Sequence, residues 1–211
     1  MTDKPHLLTR RAFGGVLLGG AALSLGGRAL AQARLLPTPA ADEGPFYPVD
    51  TSLESDADLV WLRGHPARAL GEVIQISGRV LDRRGQPVGN ARIDLWQANA
   101  AGRYDHPADL STAPLDPNFQ SFAIVRTDAQ GGWRITTVRP GGYDSPIGHR
   151  TPHIHFAVPR PDQRLVAQLY FPENRRTNAA DGLYRQLGSA APRSMARAVA
   201  ADRYEWDIVL A

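Results

Sequence analysis

The chain has 211 residues, of which 43% are hydrophobic and 21% charged, and it contains no cysteine. This length and apolar content suffice for one domain with a real core, and they exclude a wholly disordered chain. The lack of cysteine excludes disulfides, thiolate metal ligands and a cysteine nucleophile, so any metal must be bound by His, Tyr, Asp or Glu.

The net charge of +3 is concentrated at the N-terminus. Residues 1–31 contain four basic residues and one acidic residue, and the rest of the chain is neutral. Because that remainder has no basic patch, we expect neither a nucleic acid nor a membrane surface as a lasting partner.

Residues 1–31 resemble a twin-arginine export signal. Paired arginines in Thr9–Phe13 precede an apolar run, Gly14–Gly26, and Ala29–Ala31 offers the small residues that a signal peptidase recognises. A membrane span needs about 20 apolar residues, and this run is shorter. Twin-arginine export carries folded proteins, often with a cofactor in place, so we expect a periplasmic or secreted protein that contacts the membrane only during export. An uncleaved N-terminal anchor is the alternative.

The Pro-rich residues 32–70 predict an irregular approach segment, followed by a domain at residues 71–211. Apolar and polar residues then alternate, so that Ile74, Ile76 and Val80 share one face of a strand. We predict seven strands from this pattern: Val73–Leu81, Ala91–Ala98, Phe122–Thr127, Trp133–Val138, His153–Val158, Leu165–Phe171 and Tyr204–Leu210.

Seven or eight short strands separated by turn residues, with no long amphipathic helix, predict an all-β protein with a single β-sandwich domain. Two long connections without regular structure, Gly102–Ser121 and Arg139–Pro152, interrupt the strands. Loops of that length in a small domain are usually functional, so we expect the active site there.

His153-Ile154-His155 is the strongest local signal for a site. Residues two apart on a strand project from the same face, so both imidazoles can reach one point, as in many transition-metal sites. A partly exposed strand face would produce the same spacing, and the pair alone does not distinguish the two interpretations.

Two loop tyrosines and an arginine extend this signal. Tyr104 follows a predicted strand, Tyr143 lies in a Gly-rich loop, and Arg150 precedes His153 by three residues. The phenol of tyrosine normally has a pKa near 10, but a bound cation favours the phenolate. Two tyrosinates and two neutral histidines would suit iron(III) better than zinc, although each tyrosine taken singly is more often structural.

Four segments occur in an informative order along the chain: Trp96–Tyr104, Pro114–Phe119, Pro140–Tyr143 and Arg150–Phe156. Together they resemble the intradiol ring-cleavage dioxygenases, and within that family the protocatechuate 3,4-dioxygenase chains. The resemblance runs from about Gly71 to the C-terminus, and Asp42–Tyr47 resembles the family's opening segment.

The resemblance implies one non-haem iron(III) per chain, with Tyr104, Tyr143, His153 and His155 as its protein ligands. Tyr143 and His155 would be the axial ligands, and Tyr104 and His153 the equatorial ones. It also implies two catalytic roles: Tyr143 would accept a proton from the substrate, and Arg150 would stabilise negative charge that develops on it.

The same resemblance implies that Trp96 and Gln168 shape the substrate pocket with Arg150 and that Tyr47 lines its entrance. The implied reaction is cleavage of a catechol-type ring by dioxygen between its two hydroxylated carbons, which gives a cis,cis-muconate-type acid in aromatic catabolism. A homo-oligomer or a paired α/β-type chain is the implied assembly. The short Pro-rich segment argues against the helical dimerisation segment of catechol 1,2-dioxygenases.

Whether the substrate carries a carboxylate is left open by the sequence. Recognition of a carboxylate would need a basic group in the pocket besides Arg150, and the pattern does not say where Arg126, Arg139 or Arg160 lie. Protocatechuate and uncharged catechols are therefore both retained.

Two other functions are retained as alternatives. The strand–turn–strand pattern of Ile76–Asp82 and Gly85–Val88 is common in exported β-sandwich binding modules without catalytic activity, in which His-x-His would be accidental. A zinc hydrolase using His153 and His155 would need a third ligand, and no His or acidic residue stands at a recognisable spacing.

Overall fold

The computed structural model describes residues 34–51 and 53–211, and the predicted export signal at residues 1–31 lies outside them. The described chain contains eleven strands and two short α-helices. No helix in this part of the chain has the length and apolar character needed to cross a membrane. The strands are β1 (Val73–Leu81), β2 (Arg92–Trp96), β3 (Phe122–Arg126), β4 (Gly132–Val138), β5 (Tyr143–Ser145), β6 (Gly148–Arg150), β7 (His153–Pro159), β8 (Arg164–Tyr170), β9 (Arg197–Ala200), β10 (Arg203–Glu205) and β11 (Ile208–Val209). The helices are α1 (Arg175–Ala180) and α2 (Gly182–Gln186), with 3-10 turns at Pro172–Asn174 and Gly188–Ser194.

The longer strands form two sheets. In the first, β1 pairs with antiparallel β4 and with parallel β10 and β11, and β9 pairs with β10. The second sheet is antiparallel throughout, with the order β3-β2-β7-β8. Strands β5 and β6 form a separate hairpin.

The two sheets pack against each other around an apolar core. Trp133 on β4 contacts Phe156 on β7 with ring centroids 5.3 Å apart, and Trp206 contacts the same ring at 5.0 Å. Fully buried Ile76 and Ile154 belong to the same cluster. The predicted all-β fold is confirmed, and this layering is that of a β-sandwich.

The predicted number of strands was too low. The predicted strand Tyr204–Leu210 is divided into β10 and β11, and between them the Arg79 amide of β1 donates to the side chain of Asp207 at 2.8 Å. The chain also approaches β1 closely at Trp206. A Cβ on Gly78 would lie 1.8 Å from the carbonyl oxygen of Trp206, so only glycine fits there. The hairpin β5–β6 lies inside the connection Arg139–Pro152 that the sequence predicted as irregular, and β9 was not predicted.

Both faces of the second sheet are buried. Leu95 and Phe156 point into the sandwich, whereas Trp96 and His155, next to them in sequence, point to the opposite face. Residues 34–48 form no helix or strand, and their part from Ala41 to Tyr47 covers that opposite face. Ala41 N donates to Val166 O on β8, and Thr38 N donates to Val209 O on β11 of the first sheet, both at 2.9 Å. The covered face is where the candidate site lies.

Candidate metal centre

The two histidines of β7 converge on one point. Their Nε2 atoms are 3.1 Å apart, and both side chains are almost fully buried. Burial and the charge of Arg150 lower the pKa of His153 to about 3. Burial and the neighbouring His153 likewise lower the pKa of His155 well below its ordinary value. Both imidazoles are therefore neutral at pH 7, which is the state that binds a metal.

Each imidazole is held by a different neighbour. Nδ1 of His153 lies 2.6 Å from the carbonyl oxygen of Thr151, and since a carbonyl can only accept, Nδ1 must donate. Nε2 of His153 therefore presents its lone pair toward His155. The His155 ring stacks on Trp96, with centroids 4.8 Å apart and an interplanar angle of 15°. Packing orients His155, because its Nδ1 has no hydrogen-bond partner among the described residues.

Tyr104 brings a buried phenol to the same point. Its ring centroid lies 6.3 Å from that of His155, and its hydroxyl has no hydrogen-bond partner within the described chain. The Tyr104 amide donates to Asp109 Oδ2 at 2.7 Å, and Phe46 stacks on the ring at 4.4 Å. Burial, reinforced by the neighbouring Tyr143, raises the pKa of Tyr104 well above its ordinary value.

The loops that carry the two tyrosines pack backbone to backbone. Gly102 has φ of +81°, and a Cβ there would lie 2.3 Å from the carbonyl oxygen of Gly142. A Cβ on Gly141 would lie 2.4 Å from the Gly102 nitrogen. Glycine at these positions lets the chain place Tyr143 against Tyr104, with ring centroids 5.4 Å apart.

Tyr143 completes the cluster from the start of β5. Its ring centroid is 5.8 Å from that of His153. Burial raises the pKa of Tyr143, and the Arg150 guanidinium partly opposes that rise. The structure thus brings together all four residues predicted as ligands: Tyr104, Tyr143, His153 and His155.

These side chains fit iron(III). The described residues contain no group of three His, Cys, Asp or Glu that could hold a metal ion, so a metal at this point would need the tyrosines in addition to the histidine pair. The unpartnered hydroxyl of Tyr104 and the facing Nε2 atoms leave donors that a cation would satisfy. Phenolate oxygen is a hard ligand, and a highly charged ion lowers the pKa of a phenol that burial otherwise keeps neutral.

Arg150 lies beside this cluster in a buried ion pair. Its Nε donates to Asp181 Oδ2 at 2.9 Å, and its Nη2 donates to Gln168 Oε1 at 2.7 Å. Burial opposes the Arg150 charge, but Tyr143 and Asp181 outweigh it, so the pKa of the guanidinium is raised. Arg150 is therefore a fixed positive charge next to Tyr143.

Asp181 is the residue that sequence analysis missed. It is fully buried, 31 positions from Arg150, and accepts from the Thr151 amide at 3.0 Å as well as from the arginine. Its other oxygen accepts from the amides of Leu183 and Tyr184 and so caps α2. An aspartate followed by glycine is common in turns, so the sequence offered no signal for this role.

Gln168 connects the site to the N-terminal segment through hydrogen bonds. Its Oε1 accepts from Arg150 and from the Tyr170 hydroxyl, and its Nε2 donates to the main-chain carbonyl of Asp42 at 3.0 Å. Gln168 stands opposite His155 in the β7–β8 register, which places it on the same face of the sheet.

A cavity of about 290 Å³ opens beside the cluster. Tyr143, His155, Arg150 and Gln168 line one side of it, and Phe46 lies on its wall. This is near the lower end of the range of ~300–1,000 Å³ for small-molecule sites. The cavity is therefore of a size for a small ligand.

Two residues predicted to bind substrate lie outside this cavity lining. Trp96 lies behind His155, as described above. Tyr47 packs edge-on against Trp96 at 5.0 Å, and its hydroxyl donates to Asp94 Oδ2 at 3.0 Å. In this arrangement both aromatic residues support the histidine.

Comparison with known proteins identifies related sequences. Residues 42–211 match a protein family described as Dioxygenase. The protocatechuate 3,4-dioxygenase beta chain of Burkholderia cepacia is 38% identical over 179 residues, which are 79% of this chain and 76% of that one. The protocatechuate 3,4-dioxygenase alpha chain of Pseudomonas putida is 31% identical over 155 residues, 69% of this chain and 75% of that one.

Other relatives match over a smaller share or by fold. The catechol 1,2-dioxygenase of Candida albicans is 30% identical over 150 residues, 64% of this chain and 47% of that protein, so this chain spans about half of it. Among solved structures, the dioxygenase domain of a dioxygenase–carbohydrate-binding protein fusion from Streptomyces sp. SirexAA-E superposes with a TM-score of 0.63 at 29% identity. That match covers 82% of this chain and 97% of the other.

Proposed function

Because this chain belongs to the intradiol ring-cleaving dioxygenase family, we propose that it is a non-haem iron(III) enzyme that cleaves catechol-type rings. Dioxygen is the co-substrate, the broken bond lies between the two hydroxylated carbons, and the product is a cis,cis-muconate-type acid. The observation that carries this proposal is the convergence of two neutral imidazoles and two phenols on one wall of a small cavity.

Tyr104, Tyr143, His153 and His155 would hold the iron. Iron(III) bound there would supply Lewis acidity toward the catechol oxygens and would accept electron density from the ring. Phe46 covers the Tyr104 ring and, with the N-terminal segment, excludes water from that side of the site. The buried donor set is therefore prepared before substrate enters.

The substrate's protons and charge are handled by residues on the cavity wall. Tyr143 lines the cavity, and as a phenolate it would be the base within reach of an entering catechol hydroxyl. The Arg150 guanidinium, fixed by Asp181 and Gln168, is preorganised to stabilise negative charge that develops on the opening ring. No solvent-exposed base is required.

The test is metal analysis and visible spectroscopy of the purified chain, followed by addition of catechol under nitrogen and then of air. We expect about one iron per chain, a tyrosinate-to-iron absorption band that shifts with catechol, and oxygen uptake that matches formation of a muconic acid. A protein that binds no iron after ferric reconstitution would contradict the proposal. In that case the exported binding module would replace it.

We further propose that the chain works in an assembly of chains. Two relatives are named as the alpha and the beta chain of protocatechuate 3,4-dioxygenases, which supports either a homo-oligomer or a paired chain. Light scattering of the purified chain, alone and co-expressed with a candidate partner, measures this directly. A monomer under both conditions would overturn it.

We also propose that residues 1–31 direct twin-arginine export to the periplasm or beyond the cell. Fractionation of cells that produce the chain, compared with an Arg10→Lys, Arg11→Lys variant, tests this. Export of both forms to the same extent would contradict the proposal.

A further inference from the structure

We propose that the substrate of this chain is a catechol without a carboxylate, unsubstituted or with a small apolar substituent. This inference rests on the proposed ring-cleaving function and narrows its substrate. It follows from the charges and the apolar surface of the cavity, and from the positions of the arginines in the structure.

Apart from the candidate ligands and from Arg150 and Gln168, most of the cavity wall is apolar, and its other members are Asp42, Gly44 and Ser145. A catechol whose oxygens lie at Tyr143 and His155 must direct the rest of its ring toward the remaining lining residues. Five of these are apolar: Pro45, Phe46, Pro146, Ile147 and Leu183. Such a surface favours a hydrogen, methyl or halogen substituent and offers no compensation for a desolvated carboxylate.

The one cation among the cavity-lining residues is already paired. Arg150 donates from Nε to Asp181 and from Nη2 to Gln168, and Asp181 is fully buried. Asp181 and Gln168 thus use the Nε donor and one Nη2 donor of this guanidinium. The buried Asp181 carboxylate therefore offsets part of the Arg150 charge toward a distant substituent, while the guanidinium stays beside Tyr143.

The other arginines that could have served as a carboxylate partner lie outside the cavity lining. Arg126, at the end of β3, donates to the carbonyl oxygen of Asn90. Arg139 pairs with Glu72 at 2.9 Å, and Arg160 donates to the carbonyl oxygen of Ala211. None of the three lines the cavity.

Asp42 is an exposed acidic residue among those that line the cavity. Its main-chain carbonyl is held by Gln168, which fixes the segment in place. A substrate carboxylate would meet this like charge, whereas an uncharged substituent would not. The charge of the wall thus selects against a carboxylate, and so does the lack of a free cation among the lining residues.

The experiment compares 4-methylcatechol with 3,4-dihydroxybenzoate on the iron-loaded protein. We expect kcat/KM from oxygen uptake, and affinity measured under nitrogen, to favour 4-methylcatechol by about tenfold or more, since an unpaired charge is expensive to desolvate. Equal or better use of 3,4-dihydroxybenzoate would overturn the inference but leave the proposed function intact. Cleavage of neither catechol would overturn the proposed function itself.

Two substitutions, each with a matched control, test whether the charge of the cavity wall causes this substrate preference. Ile147 is 66% exposed at the tip of the β5–β6 hairpin, so the fold tolerates a polar residue there. Ile147→Lys should shift the preference toward 3,4-dihydroxybenzoate by roughly fivefold, the upper end for a partly exposed ion pair, and Ile147→Gln should not.

Asp42→Asn should shift the preference in the same direction by roughly twofold to threefold. The Gln168 hydrogen bond is unaffected, since it uses the main chain of residue 42. Asp42→Glu, which keeps the charge, is the control. If neither Ile147→Lys nor Asp42→Asn changes the ratio, the charge of the wall does not select the substrate.

Discussion

The two faces of the second sheet are equally buried but are built from different chemistry. On strand β7, Ile154 and Phe156 face the other sheet, and His153 and His155 face the N-terminal segment. The inner face excludes water by apolar packing. The outer face excludes water while holding polar groups, some of which lack any partner in the described chain. Burial alone therefore does not distinguish a core from a site, and neither does a single unpartnered atom, since Trp133 Nε1 on the inner face is also unpartnered within the described chain. The site is distinguished by a cluster of buried imidazole and phenol groups on one face.

Substitutions at adjacent residues of β7 should therefore have different effects. Substitutions on the inner face should lower stability, and substitutions on the outer face should remove metal or activity while the protein stays folded. Four substitutions sharpen this contrast.

His155→Ala should have the largest effect, with loss of bound iron and of ring cleavage to background. The variant should remain folded, because the ring packs on Trp96 on the outer face of the sheet and lies outside the apolar core between the two sheets. Iron content, activity and circular dichroism measure the three properties. His149→Ala is the control, since that half-exposed imidazole bonds Asp144 instead; full activity of His155→Ala would remove it from the site.

Phe156→Ala should lower the free energy of unfolding by about 3–5 kcal/mol, as for other buried phenylalanines. The ring fills the space between Trp133 and Trp206, so its removal leaves a cavity between the sheets. Denaturant unfolding measures the loss. Folded protein should retain its iron, and a selective loss of iron at full stability would contradict the division between the two faces.

Arg150→Ala should reduce kcat by about 10²–10³-fold, the range for removing one preorganised charge or donor at a reacting group. Catechol should still bind under nitrogen, because Tyr143 and the histidines are unchanged. Stopped-flow spectroscopy separates binding from turnover. Arg160→Ala, in which the lost side chain bonds only the carbonyl oxygen of Ala211, should behave as the unsubstituted protein.

Asp181→Asn should have the smallest effect on turnover, a loss of about 10–100-fold, which is typical when a group that orients a functional side chain is changed. Burial raises the pKa of Asp181, but pairing with Arg150 outweighs it, so the pKa is lowered. The stabilisation by the carboxylate is present above the unfolded pKa of ~3.9 and is lost as the pH falls through the folded value.

Acid unfolding supplies the second readout for Asp181→Asn. The unsubstituted protein should lose stability more steeply below about pH 4 than the variant does, because asparagine does not titrate. Identical acid profiles for the two proteins would mean that the ion pair contributes no pH-dependent stability.

Features that depend on a short repeat of residues along a strand could be predicted from the sequence. Alternation in Val73–Leu81 gave the bounds of β1, and the spacing of His153 and His155 placed both rings on one face. The hairpin β5–β6 was missed because each strand has three residues, too few to alternate. Strand β9 is exposed at the sheet edge and lacks an apolar pattern.

The residues that complete the site depend on contacts distant in sequence. Phe46 comes from an irregular Pro-rich segment, where no period indicates which side chain will be buried. Asp181 meets Arg150 only because α2 begins beside β6, and no local pattern encodes that approach. The tyrosine positions came from family resemblance, and the geometry that joins their loops depends on the close approach of Gly102 and Gly142.

The bond between Thr38 and Val209 has a consequence for when the site closes during synthesis. The segment that carries Phe46 onto Tyr104 is fastened at Thr38 to β11, 171 positions later in the chain. A growing chain lacks that anchor until residue 209 has left the ribosome. The second sheet and the contacts of the covering segment with Val166 and Gln168 can form earlier, so the bonds at Val209 are the last of these anchors to be made.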